Sequence, residues 1–227
     1  MGGRGSFSMT HGGVAASGGG GTGYIPKTPE SREDIRELFI NRLGFQELYG
    51  TDKIGTAQMS AIAQELTKIE QEYHVLRDNK VYLATTSNAG VYGYAMHMRD
   101  GSYLIALNPE SHNNVGSKVS RQREMARSGF KTKTDGKINS DYSYTIRHEY
   151  GHVKQFVISE KTGKTAFQIR KEVQNIAKTS YNTKKSPSRY ANHDEYEFFA
   201  ESFASLTGGR PSGQGKALKK WLKDNRL

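Results

Sequence analysis

Residues 146–157 read IRHEYGHVKQFV, and the rest of the chain is best understood outward from them. Ile146, Tyr150, Val153, Phe156 and Val157 recur at three-four spacing, which predicts a helix that packs through one face. His148 and His152 sit four apart on it. Residues so spaced share a helix face, about 5–6 Å apart at Cβ. Two imidazoles there can reach one metal ion at roughly 2.0–2.1 Å per bond. Glu149 is rotated about a quarter turn from them. It therefore does not share their face as a ligand, but it can hold a water at the ion and take its proton. Chance produces this HExxH pattern with a probability on the order of 0.01 in a chain with these His and Glu numbers. The apolar flanks strengthen the signal.

A hydrolytic site of this kind needs a third protein ligand and one open position. The best source is residues 193–203, HDEYEFFAESF. Glu197 and Glu201 are four apart on a predicted helix, Asp194 to Leu206, with Phe199, Phe203 and Leu206 on an adjacent apolar stripe. Two carboxylates on a packed helix are costly to desolvate without a positive partner. A metal and its histidines would be that partner. Each carboxylate also has an ordinary reading: Glu197 as capping partner of Asp194, Glu201 in a surface ion pair. His193 is a rival ligand, but it precedes the helix.

The motif HEYGH, followed by YANHDEYEFFAESFA, resembles the family of the anthrax lethal factor catalytic domain and the Pro-Pro endopeptidases. His152 to Glu197 is 45 positions, a spacing typical of that family. The resemblance covers about Tyr142–Leu206. It implies a zincin-like metallopeptidase fold of the gluzincin type, with one catalytic zinc on His148, His152 and Glu197 and with Glu149 as general base. It implies that Glu201 orients a ligand histidine. It implies that Tyr190, seven before Glu197, stabilises the oxyanion. In this family a strand before the motif helix pairs with the substrate backbone, and Ser102–Leu107 (SYLIAL) is the candidate.

The rest of the chain fits an α+β domain. Ser31–Leu43 reads as a helix with Ser31 as cap and Glu33 and Asp34 in an acidic first turn. Thr56–Leu76 is a longer helix carrying Met59, Ile62, Ala63, Leu66, Ile69 and Tyr73. Val81–Thr86, Val91–Met98 and Ser102–Leu107 read as strands. Their short connections predict a small, mostly antiparallel sheet over the active-site helix. Further helices are expected at Tyr142–Glu160, Thr165–Thr179 and, after a Gly/Pro break, Lys216–Asn225, where Leu218, Trp221 and Leu222 share one side. The expected division is a Gly-rich tail over 1–29 and a catalytic domain over 30–227, helical over 30–80, with the sheet and active-site helices in 81–227.

Composition sets the outer limits. The 227 residues include no Cys, so disulfides, thiolate metal sites and a cysteine nucleophile are excluded. Leu, Ile, Val and Phe make only 42 of 227, but ten of the 25 glycines lie in the first 23 residues. Without that segment the chain is an ordinary polar, basic globular sequence. The tail lacks the apolar run of a secretory signal. Gly2 followed by Ser6 fits the loose myristoylation pattern, which Gly/Ser-rich starts match by chance. A cytoplasmic location, or delivery without a classical signal peptide, is expected. The opening MGGRGS resembles phage and prophage proteins and leans the reading toward a bacterial, phage or virion setting.

The net charge is +10. Basic residues gather between Lys118 and Lys137, in a segment (Ser111–Ser140) read as a long loop with a helix near Ser117–Ser128. No nucleic-acid fold signature accompanies them, so a nucleic-acid partner is not expected. No apolar stretch reaches the length of a membrane helix. The expected function is a zinc-dependent endopeptidase acting on a peptide or protein substrate, with Glu149 passing the water proton to the leaving amine. The alternative is a metal-binding assembly or interaction protein with little or no turnover.

Overall fold

The computed structural model describes residues 31–88, 91–113, 140–178, 188–208, 211 and 213–227, with the side chains of 140–142 excepted. The expected tail, the turn residues Ala89 and Gly90, the Ser117–Ser128 helix and most of the basic segment lie outside the described residues.

The architecture is α+β, with seven α-helices and one four-stranded sheet among the described residues. Helix α1 (Arg32–Glu37) starts at a capping box: the Ser31 hydroxyl accepts the Asp34 N–H, and the Asp34 carboxylate accepts the Ser31 N–H. These bonds satisfy donors that a helix start otherwise leaves open. The chain runs straight on into a π-helical turn, Leu38–Leu43, and stops at Gly44 in the left-handed region (φ 93°). Leu38, Phe39 and Leu43 are buried there.

Helix α2 (Thr56–Tyr73) ends earlier than its apolar periodicity suggests. The cause is Glu70. Its buried carboxylate accepts the N–H groups of Val75 (3.1 Å), Leu76 (3.0 Å) and Arg77 (3.2 Å), which bends the chain out of the helix. His74 takes the left-handed conformation at the bend (φ 46°).

Strands β1 (Leu48–Tyr49), β2 (Val81–Thr85), β3 (Gly93–His97) and β4 (Tyr103–Leu107) form the sheet in the order β1-β2-β4-β3. The expected antiparallel predominance is wrong. β1 pairs with β2 and β2 with β4 in parallel; only β3 and β4 run antiparallel. β2 and β3 make no hairpin, because β4 lies between them. Its Tyr103, Ile105, Ala106 and Leu107 are all buried. A strand this apolar is stable in the middle of a sheet, whereas the half-exposed β3 tolerates an edge. The stretch read as helical also contributes β1.

The same order corrects the substrate-strand expectation. Both edges of β4 are occupied by β2 and β3. The strands with one neighbour among the described residues are β1 and β3, and of the two it is β3 that lies beside β4.

Helix α3 (Pro109–Asn113) follows β4 and runs into the start of the segment read as loop, Ser111–Ser140. Helix α4 (Ser140–Thr162) carries the HEYGH motif and packs on β3, β4, α2 and a later helix, α6 (Glu195–Thr207). A buried ion pair, Arg147 to Glu65 at 3.1 Å, ties α4 to α2. Helix α5 (Ala166–Ile176) opens with a Thr165–Gln168 capping box. Helix α7 (Gly213–Asp224) begins within the expected Gly/Pro break, because Gly215 lets it approach the end of α6. A Cβ there would lie 3.1 Å from the Leu206 nitrogen. Leu218, Trp221 and Leu222 dock α7 on the core, and the Trp221 indole N–H donates to Glu172 at 2.7 Å. One core cluster runs from Ile35 to Leu222. No helix among the described residues is long and apolar enough to cross a membrane.

Candidate metal centre

Two helices build the site. On α4 the i, i+4 spacing lays His148 and His152 side by side, and both are buried. Facing them is the first turn of α6. Asp194 caps that helix by accepting the Glu197 N–H at 2.8 Å. The cap uses only Glu197's backbone, so its carboxylate is free to turn toward the histidines. The ordinary reading of Glu197 as a capping side chain therefore does not hold.

The contact between the helices is close because Gly151 has no side chain. A Cβ at that position would meet the Ala200 Cα at 3.0 Å and the Phe203 Cβ at 3.1 Å. Tyr150 stacks on Phe203 with ring centroids 5.6 Å apart, and Phe203 packs edge-on against Tyr73 of α2 at 4.9 Å. The Tyr150 hydroxyl donates to Glu70 at 2.6 Å. Aromatic packing and one buried hydrogen bond thus fix the roll of α4 about its axis.

Three side chains converge. His148 Nε2 lies 3.0 Å from Glu197 Oε2 and 3.2 Å from His152 Nε2; His152 Nε2 lies 3.8 Å from Glu197 Oε1. One donor atom from each of His148, His152 and Glu197 lies within 4.8 Å of the others. Behind them, His148 Nδ1 is 3.0 Å from Glu201 Oε1. Glu201 is completely buried, which removes its reading as a surface ion-pair partner. Its carboxylate only accepts, so the hydrogen of that contact sits on His148 Nδ1, which turns Nε2 toward Glu197 and His152.

The electrostatics test whether this set suits a cation. Burial first, then the neighbouring His148, push His152 down to about 3, so its ring is neutral. Burial works to raise Glu197, but the His148 ring and both imidazoles hold it below the ordinary carboxylate value. Glu197 Oε2 has no hydrogen-bond donor despite its 3.0 Å approach to His148 Nε2. Two ring nitrogens and the Glu197 carboxylate therefore face one another at 3.0–3.8 Å in a buried site. This N/N/O donor set could hold a divalent cation, and its chemistry suits zinc among other first-row ions.

The remaining predicted residues border this centre. Glu149 is buried against the edge strand, its Cγ 3.3 Å from where a Gly93 Cβ would stand. Any larger residue at 93 would also press on the Ala106 carbonyl at 2.9 Å. Tyr190, in the short 3-10 turn Tyr190–Asn192, stacks on His148 at 5.9 Å and donates its hydroxyl to Glu197 Oε1 at 3.1 Å. Burial, then the charges of Glu197 and Glu149, push the Tyr190 phenol up, which keeps its proton in place. The rival ligand His193 stands apart, with 71% of its side chain exposed and Asp194 as its partner at 3.2 Å.

Several supporting features escaped the sequence reading: Gly151 at the helix contact, Gly93 beneath Glu149, and the Glu70–Tyr150 bond. Only Gly151 left a signal, as a glycine inside an otherwise strong helix pattern. Comparison with known proteins returned no match, whether to a protein family, a curated protein or a solved structure.

Proposed function

We propose that this chain is a zinc-dependent endopeptidase with a zincin-like fold. The observation that carries the reading is the convergence of His148 Nε2, His152 Nε2 and the Glu197 carboxylate, with Glu149 one residue along the same helix. His148, His152 and Glu197 would hold the ion. A zinc ion in such a set supplies Lewis acidity, polarising a carbonyl and bringing the pKa of a water toward about 7.

The protein's own groups do the rest. Glu149 takes the proton of the attacking water and later delivers it to the leaving amine. Tyr190, kept protonated, donates to the oxygen of the scissile carbonyl as negative charge develops there. Glu201 fixes the ring tautomer of His148. β3 would bind the substrate backbone. In its antiparallel pairing with β4, the inward bonds fall at alternate residues, as in Asn108 N–H to Tyr92 O and Met98 N–H to Ser102 O. The alternation turns the N–H and C=O groups of Gly93, Ala95 and His97 outward, where an extended peptide can add as a further strand.

The test uses purified protein loaded with zinc. Metal content by mass spectrometry should give about one ion per chain, lost in the His148→Ala/His152→Ala double variant. Against a mixed peptide library the wild type should cleave. Glu149→Gln should bind the ion and cut nothing. No ion bound after incubation with zinc overturns the metal site. One ion with no cleavage of any peptide overturns the endopeptidase reading and leaves a metal-binding protein.

A further inference from the structure

The stripe that carries His148 and His152 does not stop at the metal centre. Phe156 and Glu160 continue it at four-residue steps along α4. The Phe156 ring stacks near His152 (centroids 6.4 Å, 20° between planes), then on His97 of β3 (6.2 Å) and on Tyr103 of β4 (6.4 Å, 4°). It also meets Tyr196, the residue before Glu197, at 6.0 Å. Tyr196 is 47% exposed, an unusual state for a large aromatic ring beside a buried centre. The result is an aromatic shelf one helical turn from His152, open on the Tyr196 side.

β3 runs alongside this stripe from end to end. Gly93 lies against Thr145 and Glu149, and His97 lies against Phe156 and Glu160. Glu160 locks that far end. One carboxylate oxygen is 2.8 Å from His97 Nε2, and the other accepts the Tyr103 hydroxyl at 2.5 Å.

We infer that the shelf formed by Phe156 and Tyr196 is a specificity subsite for an aromatic side chain of an extended peptide substrate, on the N-terminal side of the scissile bond. The inference rests on the endopeptidase reading and adds the substrate class. Its side follows from direction. A peptide pairing antiparallel with β3 has its N-terminal half toward His97, and so toward the shelf. Its distance follows from two pitches. Four helical residues advance about 6 Å and a strand about 3.3 Å per residue, so the seated side chain lies about two residues before the cleaved bond. The chemistry follows from the lining. The rings offer flat apolar surface with offset and edge geometry that suits another ring. Both oxygens of Glu160 are turned to His97 and Tyr103 at the far end of the stripe, and its charge disfavours an acidic side chain.

The test is a set of fluorogenic peptides, identical except at the three positions preceding the scissile bond. Each of those carries in turn Phe, Tyr, Leu, Ala, Lys or Glu. Wild-type zinc-loaded protein should show kcat/KM for Phe over Ala of roughly tenfold or more at one of these positions, the scale expected from burying one ring. Tyr196→Ala should collapse that ratio toward one, mainly through KM, and Tyr196→Phe should keep it. Because the readout is a ratio of two peptides on one preparation, the amount of folded protein cancels. Cleavage with equal rates for Phe and Ala, a preference for Lys, or a Phe preference unchanged in Tyr196→Ala overturns the subsite while leaving the endopeptidase intact. Failure to cleave any peptide overturns both.

Discussion

The Nδ1 atom of His148 and the Oε1 atom of Glu201 are 3.0 Å apart, on helices joined only through residues 163–194 of the chain. Both side chains are shut away from water. A buried carboxylate in this position fixes which ring nitrogen carries the proton and raises the basicity of the other. Glu201→Gln keeps the shape and removes the charge, so we expect zinc affinity to fall about 10–100-fold with the fold retained. Competition with a chromogenic chelator measures it. Unchanged affinity would mean that Glu201 serves packing alone.

Zinc bound at His148, His152 and Glu197, as proposed, should also stabilise the fold. The Nε2 atoms of His148 and His152 and the Glu197 carboxylate crowd together at 3.0–3.8 Å. A ligand that binds only the folded state adds about 2.7 kcal/mol at a hundred times its dissociation constant. Chelation should therefore lower the thermal midpoint by several degrees, and added zinc should restore it. The His148→Ala/His152→Ala variant should melt identically with and without zinc. A wild type that ignores both chelator and zinc would sink the expectation.

Much of this centre was legible in the sequence, because its spacing is a property of the helix itself. Positions 148 and 152, and 197 and 201, must share a face once each segment is helical. The pairing of the two helices was drawn from chemical need and resemblance. The sheet order was not legible. Alternation and short turns locate β2, β3 and β4, but they do not say that β4 lies between the other two. That depends on which strand is apolar enough for the centre, a comparison among strands rather than a property of one. The early end of α2 was hidden for a similar reason. The residue that stops it, Glu70, acts through a carboxylate that looks like an ordinary helical surface residue until Tyr150 and three backbone N–H groups are found around it.

Tyr190 is expected to act on rate rather than on folding. Its hydroxyl hydrogen bond to Glu197 is only part-buried, and its ring contact with His148 survives removal of the oxygen. Loss of an oxyanion donor typically costs about 10²–10³ in kcat. Tyr190→Phe should show that drop with KM and thermal midpoint little changed. A loss confined to KM would reassign Tyr190 to substrate binding.

The Tyr150–Glu70 bond should carry stability. Burial first, then the Glu70 charge, push the Tyr150 phenol well up, so it remains a donor at any ordinary pH. Tyr150→Phe removes one of four donors to a buried carboxylate. Leaving a buried acceptor short costs about 1–3 kcal/mol. Chemical denaturation should show a loss of that size at unchanged m-value. Glu70→Ala should cost more, since it strands the N–H groups of Val75, Leu76 and Arg77 together.

Gly151→Ala sets two effects against each other. Within a helix, alanine is favoured over glycine by about 1 kcal/mol. But the new methyl group would meet the Ala200 Cα at 3.0 Å and the Phe203 Cβ at 3.1 Å, both on α6, the helix that carries Glu197 and Glu201 toward the histidines. Neither atom is the far end of a flexible side chain. Relief therefore requires α6 to move as a body, and overpacking of this kind costs about 1–3 kcal/mol. The clash should win. A shift of a few tenths of an ångström would also widen the gap between Glu197 and the two imidazoles, so zinc affinity should fall although position 151 touches no ligand atom. A zinc titration and a melt in chelator, run on the same variant, separate the two effects. A variant that is more stable and binds zinc as tightly as wild type would show that α4 and α6 can part at this crossing without disturbing the metal site.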